Sequence, residues 1–440
     1  MKLEILMKFN IETLGCKVNQ YESEAMERLF EQAGYEKVAR DEIADVYVVN
    51  TCTVTGQAAA KSRQQISRAK KLNPEAQIAV VGCYSQVSPE DIEALGDIDV
   101  ILGTKHRARL IELLDEAKTL GTTINLVENI KYNQDFDELQ TNTSREMTRA
   151  YLKIQEGCNM FCSYCIIPYA RGPISSRDLQ NILDETKKLA SDGFKEIVLT
   201  GIHVESYGKD KGKDYHRLID VVEAVAKVEG IERIRLSSVE PRIITDEFLT
   251  RYKATGKGAD HFHLSLQSGS DQILKLMNRK YTTLEYKEKV DLIRKHLPDA
   301  GITTDIIVGF PGETNELFQE TMDFVDQIAF SKIHVFPFSA REGTPAYSFS
   351  GQLDGTTKKE RASLLSKKED QIAKQFLDQF IGQELDVLFE SDSSREVTTE
   401  GYSSNYLRVS VPRDNDLINE IKRVKIIERK DLQLKGVVVD

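Results

Sequence analysis

Tyr151-Leu152-Lys153-Ile154-Gln155-Glu156-Gly157-Cys158-Asn159-Met160-Phe161-Cys162-Ser163-Tyr164-Cys165 is the stretch from which the fold of this 440-residue chain is read. Residues 151–155 read as a strand, and the chain then runs into a Cys-x-x-x-Cys-x-x-Cys loop. Five further strand candidates follow, at 196–200, 233–237, 262–266, 303–308 and 332–338. Amphipathic helical runs lie between them, at 178–190, 215–228, 271–277 and 284–295. Strand–helix alternation of this kind predicts an α/β class, here a partial (β/α)6 barrel over residues 141–355. Chemistry in such barrels occupies the loops after the strand carboxyl ends, which is where the cysteine triplet falls. The later strand ends carry Gly201, Glu240, Gln267, Gly309 and Glu313. Glycine lets backbone approach a bound cofactor, and a carboxylate or amide can bond its amine or hydroxyls, so these five are candidate cofactor-binding residues. The same residue types also make ordinary turns.

Upstream, three stretches share one pattern. Strand-like 9–14 runs into Gly15-Cys16, 46–49 into Asn50-Thr51-Cys52, and 78–81 into Gly82-Cys83. Helical runs follow at 23–32, 56–71 and 89–95, which predicts a parallel sheet covered on both faces over residues 1–140. Ligands of such sheets gather outside the strand carboxyl ends, where all three cysteines sit. Asn19, Asn50 and Thr51 are placed to bond the sulfurs or to form the turns.

Downstream, residues 356–381 are dense in Lys, Glu, Ala, Leu and Gln and predict a linking helix. Short strands from 382 to 440 predict a small β-barrel, a form that often binds oligonucleotides, with protein binding or stability as alternatives.

The net charge of −11 argues against a protein that coats nucleic acid. A local basic run at 58–72 still offers Arg63, Arg68 and Lys70 as candidate RNA contacts, or simply as a solvated helix face. No apolar run approaches the ~20 residues that cross a bilayer, so no membrane is expected. The first residues show no secretory signal, Met7 is a possible start, and the expected compartment is the cytoplasm.

That compartment keeps thiols reduced, which disfavours disulfides among the six cysteines. Structural zinc takes four ligands, and neither set of three has a fourth nearby. Three thiolates suit a [4Fe–4S] cluster with one iron left open. An open iron can chelate S-adenosylmethionine and pass an electron to its sulfonium, with the chemistry belonging to the cofactor and the positioning to the protein. Phe161 and Tyr164 are expected to shield that cluster.

Together these residues resemble the methylthiotransferase family of radical S-adenosylmethionine enzymes over nearly the whole chain, including a tail like the small barrel called TRAM. Thr13-Leu14-Gly15-Cys16-Lys17-Val18-Asn19 looks like the branch acting on N6-threonylcarbamoyladenosine of tRNA. The isopentenyladenosine branch has Tyr-Gly-Cys-Gln-Met-Asn there, and the branch acting on a ribosomal protein has Leu-Gly-Cys-Pro-Lys-Asn. Gln155-Glu156-Gly157-Cys158-Asn159 and Ile166-Ile167-Pro168-Tyr169-Ala170-Arg171-Gly172 match closely as well.

The resemblance implies that Cys158, Cys162 and Cys165 bind a radical-generating cluster and are catalytic. Cys16, Cys52 and Cys83 would bind a second [4Fe–4S] cluster whose open iron holds the sulfur to be transferred. One S-adenosylmethionine would methylate that sulfur and another would yield the radical that activates adenine C2–H. The implied partners are tRNA with an N6-modified adenosine and an electron donor of flavodoxin or ferredoxin type; the sulfur donor is not implied. The chain departs from its relatives at Pro173-Ile174-Ser175-Ser176-Arg177, where another basic residue is common. That loop is expected to meet RNA, with Arg171 and Arg177 as contacts. The competing readings are the same chemistry on isopentenyladenosine or a ribosomal-protein aspartate, a non-catalytic two-cluster redox protein, and a zinc-binding RNA module.

Overall fold

The strand Val46–Thr51 is buried at every position, and its alternate side chains serve two separate cores. Val46 and Val48 pack with Phe9, Met26, Ala79 and Val81 on one face. Tyr47 and Val49 pack with Ile66, Ile78 and Val80 on the other. That two-sided burial is what an all-parallel sheet requires. In the computed structural model, which describes residues 6–133, 135–139, 148–393 and 398–439, this sheet has the order Glu36–Lys37, Lys8–Thr13, Val46–Thr51, Gln77–Gly82, Val100–Ile101, Ile124–Asn125, all parallel.

The first helix spans Lys17–Gln32 and so begins six residues before the expected start at 23. Its buried stripe contains Asn19, Glu22 and Ser23 beside Val18 and Tyr21, so the helical period is not written in apolar residues alone. The helix packs against strand Arg149–Glu156 of the next domain.

The six expected central strands form two sheets. One has the order Arg233–Leu236, Glu196–Gly201, Arg149–Glu156, with the short antiparallel pair Ser175–Ser176 at its edge. The other has His261–His263, Gly301–Val308, Lys332–Pro337. Parallel bridges Ile234 to Gly258 and Val239 to Leu264 join them into an open barrel. The fourth strand is shorter than the expected 262–266, because Leu266 N–H bonds Thr304 Oγ1 at 2.9 Å instead of a ladder carbonyl. Helices Asp246–Ala254 and Asn315–Ile328 complete the outer layer, each capped by a threonine hydroxyl.

Helix Gly355–Asp378 packs on strand Lys332–Pro337 and leads into a closed five-stranded barrel, Glu384–Ser393, Thr398–Ser403, Arg408–Pro412, Gln433–Val438, Ile421–Lys430. Strand Thr398–Ser403 has no counterpart in the sequence reading, because its inward residues are Thr399, Gly401 and Ser403 rather than apolar ones. This barrel covers the amino ends of the central strands. Arg233 donates to Asp386 O at 3.0 Å, Arg235 to Ser404 O at 3.0 Å, and Arg149 pairs with Glu390 at 2.7 Å. The carboxyl ends, where the cysteines lie, are left to chemistry. No helix among the described residues is long and apolar enough to cross a membrane. The expected boundary at 140–141 lies outside the described residues.

Candidate active site

Gly15 sits at φ +106°, and a Cβ there would meet Cys52 Sγ at 2.9 Å. Only glycine adopts that conformation without strain, so the turn both delivers Cys16 to the start of the first helix and leaves room for the Cys52 thiol. Cys52 follows strand Val46–Thr51, and Cys83 opens the short helix Cys83–Val87; both are buried, while Cys16 is exposed. Burial pushes the Cys83 thiol up to about 12, Arg171 opposes the shift, and the Cys16 and Cys52 charges add to it. Burial likewise raises Cys52, with Cys16 adding to the shift.

The amides and hydroxyl expected to face these sulfurs mainly fasten the loops to one another. Asn19 Nδ2 donates to Leu14 O at 2.7 Å and Thr51 O at 3.0 Å, and Thr51 Oγ1 donates to Val81 O at 2.6 Å. Beneath them lies a buried ion cluster. Glu22 pairs with Arg107 at 2.5 Å, Lys153 at 2.7 Å and Arg171 at 2.5 Å, and Glu156 pairs with Arg171 at 3.1 Å. Burial alone would raise both carboxyls, but these cations outweigh it and hold Glu22 well below the usual carboxylate range and Glu156 below it. Arg171 also donates from Nε to Cys83 Sγ at 3.1 Å.

The tight set is held by backbone. Gly157, at φ +70°, has Pro173 O only 1.8 Å from where a Cβ would stand. Cys158 N–H donates to Gly172 O at 3.0 Å, Cys165 N–H to Cys162 O at 2.9 Å, and Ser163 Oγ to Leu276 O at 2.7 Å. Burial pushes Cys158 and Cys165 up to about 12, and the neighbouring thiolates add to both shifts. Arg279 Nη1 donates to Cys162 Sγ at 3.3 Å. Tyr164 is half-buried and lines the cavity with the thiols, whereas Phe161 is half exposed and meets Tyr169 edge-on, so Phe161 is a rim residue rather than a shield.

Cys16, Cys158, Cys162 and Cys165 line one cavity of about 610 Å³, so the tight set and Cys16 of the other set open on the same space, while Cys52 and Cys83 lie buried behind it. Its wall also carries His203, Glu205 and Glu240. His203 Nε2 lies 2.9 Å from Glu205 Oε1 and 3.8 Å from Glu240 Oε2, and Arg279 pairs with Glu240 at 2.9 Å. Glu205 Oε2 is buried without a hydrogen-bond partner. Another cavity, of about 590 Å³, opens at the amino ends of the first sheet's strands beside Asn73, Asp97 and Thr122; no cysteine lines it.

Residues 152–325 match the family model of the Radical SAM superfamily, and residues 8–103 match that of the Uncharacterized protein family UPF0004. A threonylcarbamoyladenosine tRNA methylthiotransferase of Bacillus subtilis (strain 168) is 43% identical over 94% of this chain and 93% of its own. One from Aquifex aeolicus (strain VF5) is 42% identical over 90% and 95%. The chain belongs to the methylthiotransferase family of radical S-adenosylmethionine enzymes. A tRNA-2-methylthio-N(6)-dimethylallyladenosine synthase of Moorella thermoacetica is 37% identical over 98% of each chain, so the threonylcarbamoyladenosine branch lies nearer. Among solved structures, the radical S-adenosylmethionine methyltransferase TsrM of Kitasatospora setae shares the fold, with TM-score 0.58 over 78% of this chain and 77% of its own at 16% identity.

The cofactors of this methylthiotransferase are S-adenosylmethionine and [4Fe–4S] clusters. The donor sets fit them. Each is three thiols, two of which burial raises (Cys52 and Cys83 in one set, Cys158 and Cys165 in the other), with a guanidinium hydrogen-bonded to one sulfur of each set, so a cluster supplies the positive charge that three thiolates need. The unpartnered Glu205 carboxylate oxygen fits an amine or hydroxyl of S-adenosylmethionine.

Gly201 and Glu240 line the cavity. Gln267, Gly309 and Glu313 do not. Gln267 sits at φ +72° with its backbone bridged to Ile306. Glu313 spends its carboxylate on Gly309 N–H at 2.8 Å and Arg361 at 2.5 Å, which ties the fifth strand end to the linking helix. Two RNA candidates also change role. Arg171 and Arg177 are fully buried, Arg171 in the ion cluster and Arg177 between Glu138 at 2.9 Å and Glu185 at 2.5 Å, so neither reaches a surface. Of the basic run, Arg63 is exposed, Arg68 is paired with Glu12 and Asp41, and Lys70 bonds Leu95 O at 2.8 Å. His203, Glu205, Arg279 and Lys17 were missed. His203 and Lys17 stand within two residues of Gly201 and Cys16 and were findable; Arg279 comes from a loop after helix Asp271–Leu276 and carried no signal.

Proposed function

We propose that this methylthiotransferase converts N6-threonylcarbamoyladenosine, 3′ to the anticodon of tRNA, to its 2-methylthio derivative. The observation that carries the reading is that all three cysteines of the tight set and Cys16 of the amino-terminal set, from two domains, line one cavity. The substrate rests on the 43% identity to the threonylcarbamoyladenosine enzyme of Bacillus subtilis.

In this reading Cys158, Cys162 and Cys165 hold the cluster that engages S-adenosylmethionine, and Cys16, Cys52 and Cys83 hold the second. When bound, the first cluster supplies the electron that cleaves a carbon–sulfur bond of S-adenosylmethionine, and the second offers a site for sulfur. The protein's own part is positioning. Arg279 is fixed by Glu240 and by the face of Tyr281, 4.9 Å away, and holds the Cys162 sulfur by its hydrogen bond. Arg171 does the same for Cys83 from the buried ion cluster. His203, Glu205 and Glu240 present charge to the polar end of S-adenosylmethionine. A flavodoxin- or ferredoxin-type protein supplies electrons, and the reaction takes place in the cytoplasm, where thiols stay reduced. Arg63 remains a contact for RNA.

Reconstituted enzyme, reductant, S-adenosylmethionine and tRNA, followed by nucleoside mass spectrometry, test the reading. Appearance of 2-methylthio-N6-threonylcarbamoyladenosine is expected. Conversion of isopentenyladenosine tRNA alone, or of no nucleoside, overturns it.

A further inference from the structure

Two Lys or Arg side chains line the cavity among the described residues, and they differ in one respect. Arg279 is taken by Glu240, Cys162 and Tyr281. Lys17 is not taken. It occupies the first position of helix Lys17–Gln32, immediately after Cys16, with Nζ 5.9 Å from the centroid of the Tyr151 ring. No carboxylate among the described residues lies within ion-pair distance of it. A half-buried cation facing a cavity without an anionic partner is a site for an anion.

The wall near Lys17 is polar too. His263 Nε2 meets Asp305 Oδ2 at 3.2 Å and its Nδ1 meets Thr303 Oγ1 at 3.0 Å; the His334 ring lies 5.9 Å from that of His263. All of these side chains except Thr303 line the cavity. An N6-threonylcarbamoyl group carries a carboxylate and a hydroxyl, whereas an isopentenyl group is hydrocarbon.

Resting on the substrate reading above, we propose that Lys17 recognises the carboxylate of the N6 substituent, with the His263–Asp305 pair beside it for the hydroxyl. This makes the residue after Cys16 a specificity determinant. The isopentenyladenosine form of the motif, with Gln at this position, lacks the charge. A charge-assisted hydrogen bond discriminates strongly against an analogue that cannot form it.

The test compares two RNAs on one protein. Anticodon stem-loops carrying N6-threonylcarbamoyladenosine or its methyl ester are titrated against reconstituted wild type, Lys17→Gln, Lys17→Met and Lys17→Arg. Wild type is expected to bind the acid about tenfold or more tighter than the ester. Lys17→Gln and Lys17→Met bring the two within about twofold, and Lys17→Arg keeps most of the preference. A variant whose binding is weakened through a disturbed cluster site weakens both RNAs, so the ratio still reports the carboxylate. An undiminished ratio in Lys17→Gln overturns the proposal. So does an unchanged ratio with a raised KM for S-adenosylmethionine in the cleavage assay, which would give Lys17 to the methionyl carboxylate. Failure of the substrate reading is seen separately, as wild-type enzyme that methylthiolates isopentenyladenosine tRNA and not threonylcarbamoyladenosine tRNA.

Discussion

Arg171 Nε donates to Cys83 Sγ at 3.1 Å, so a cation from the radical domain rests on a thiol of the amino-terminal domain. The same guanidinium pairs with Glu22 of the first domain and Glu156 of the second. One side chain therefore couples the geometry of one cysteine set to the strand that ends in the other.

Replacing it breaks a buried network. Removing one partner of a buried ion pair costs about 3–5 kcal/mol, because the remaining charges lose compensation. Arg107 and Lys153 stay with Glu22, so Arg171→Met is expected at the lower end, about 3 kcal/mol, read as an earlier denaturant midpoint. Arg171→Lys recovers part of the loss. An unchanged midpoint for Arg171→Met would show that the network carries no stability.

Gly15→Ala tests the turn that places Cys16 beside Cys52. The new Cβ would stand 2.9 Å from Cys52 Sγ at φ +106°, so either the backbone or the thiol must move. Iron content is expected to fall toward half, with the tight set still loaded. Gly34→Ala is the control, since Gly34 also has positive φ, +85°, but nothing within 4 Å of a Cβ. Equal iron in both variants would show that the close approach to Cys52 does not matter.

The His203 cluster gives a pH dependence with a definite sign. Burial would lower the imidazolium, but Glu205 and Glu240 outweigh it and raise His203 to about 9. Its unfolded value is about 6.5, so its contribution is complete below that pH and is lost as pH rises through about 9. Burial would raise Glu240, but His203, Arg279 and Arg242 bring it down to about 2. Its contribution is present above about 4.3 and lost as pH falls through about 2. His203→Gln is expected to flatten the denaturant midpoint between pH 6.5 and 9, measured against wild type. A slope that survives in His203→Gln contradicts the assignment.

The strands that end at Cys52 and Cys83 were legible because buried parallel strands write themselves as apolar runs, whereas central strands such as Arg233–Leu236 and Lys332–Pro337 mix charged and apolar residues and were legible from their alternation with helices. The first six residues of helix Lys17–Gln32 were not, since buried Asn19 and Glu22 look like solvent-facing residues until Arg171, Arg107 and Lys153 are seen around them. Strand Thr398–Ser403 hid for a related reason, with Gly401 inward where Leu388 O would lie 2.1 Å from a Cβ. Charge misled at the site. Arg171 and Arg177 suggest a phosphate surface by residue type alone, yet both are satisfied by buried carboxylates. Glu313 stood at a strand end, but its partner Arg361 lies 48 residues later in the linking helix, beyond any local pattern.

The central claim is that the two cysteine sets hold two separate [4Fe–4S] clusters. Iron and sulfide quantification on reconstituted wild type, Cys16→Ala and Cys158→Ala tests it most directly. About eight irons are expected in wild type and about four in each variant, since one cubane survives in each. Loss of all iron in either variant, or full iron in both, contradicts the account.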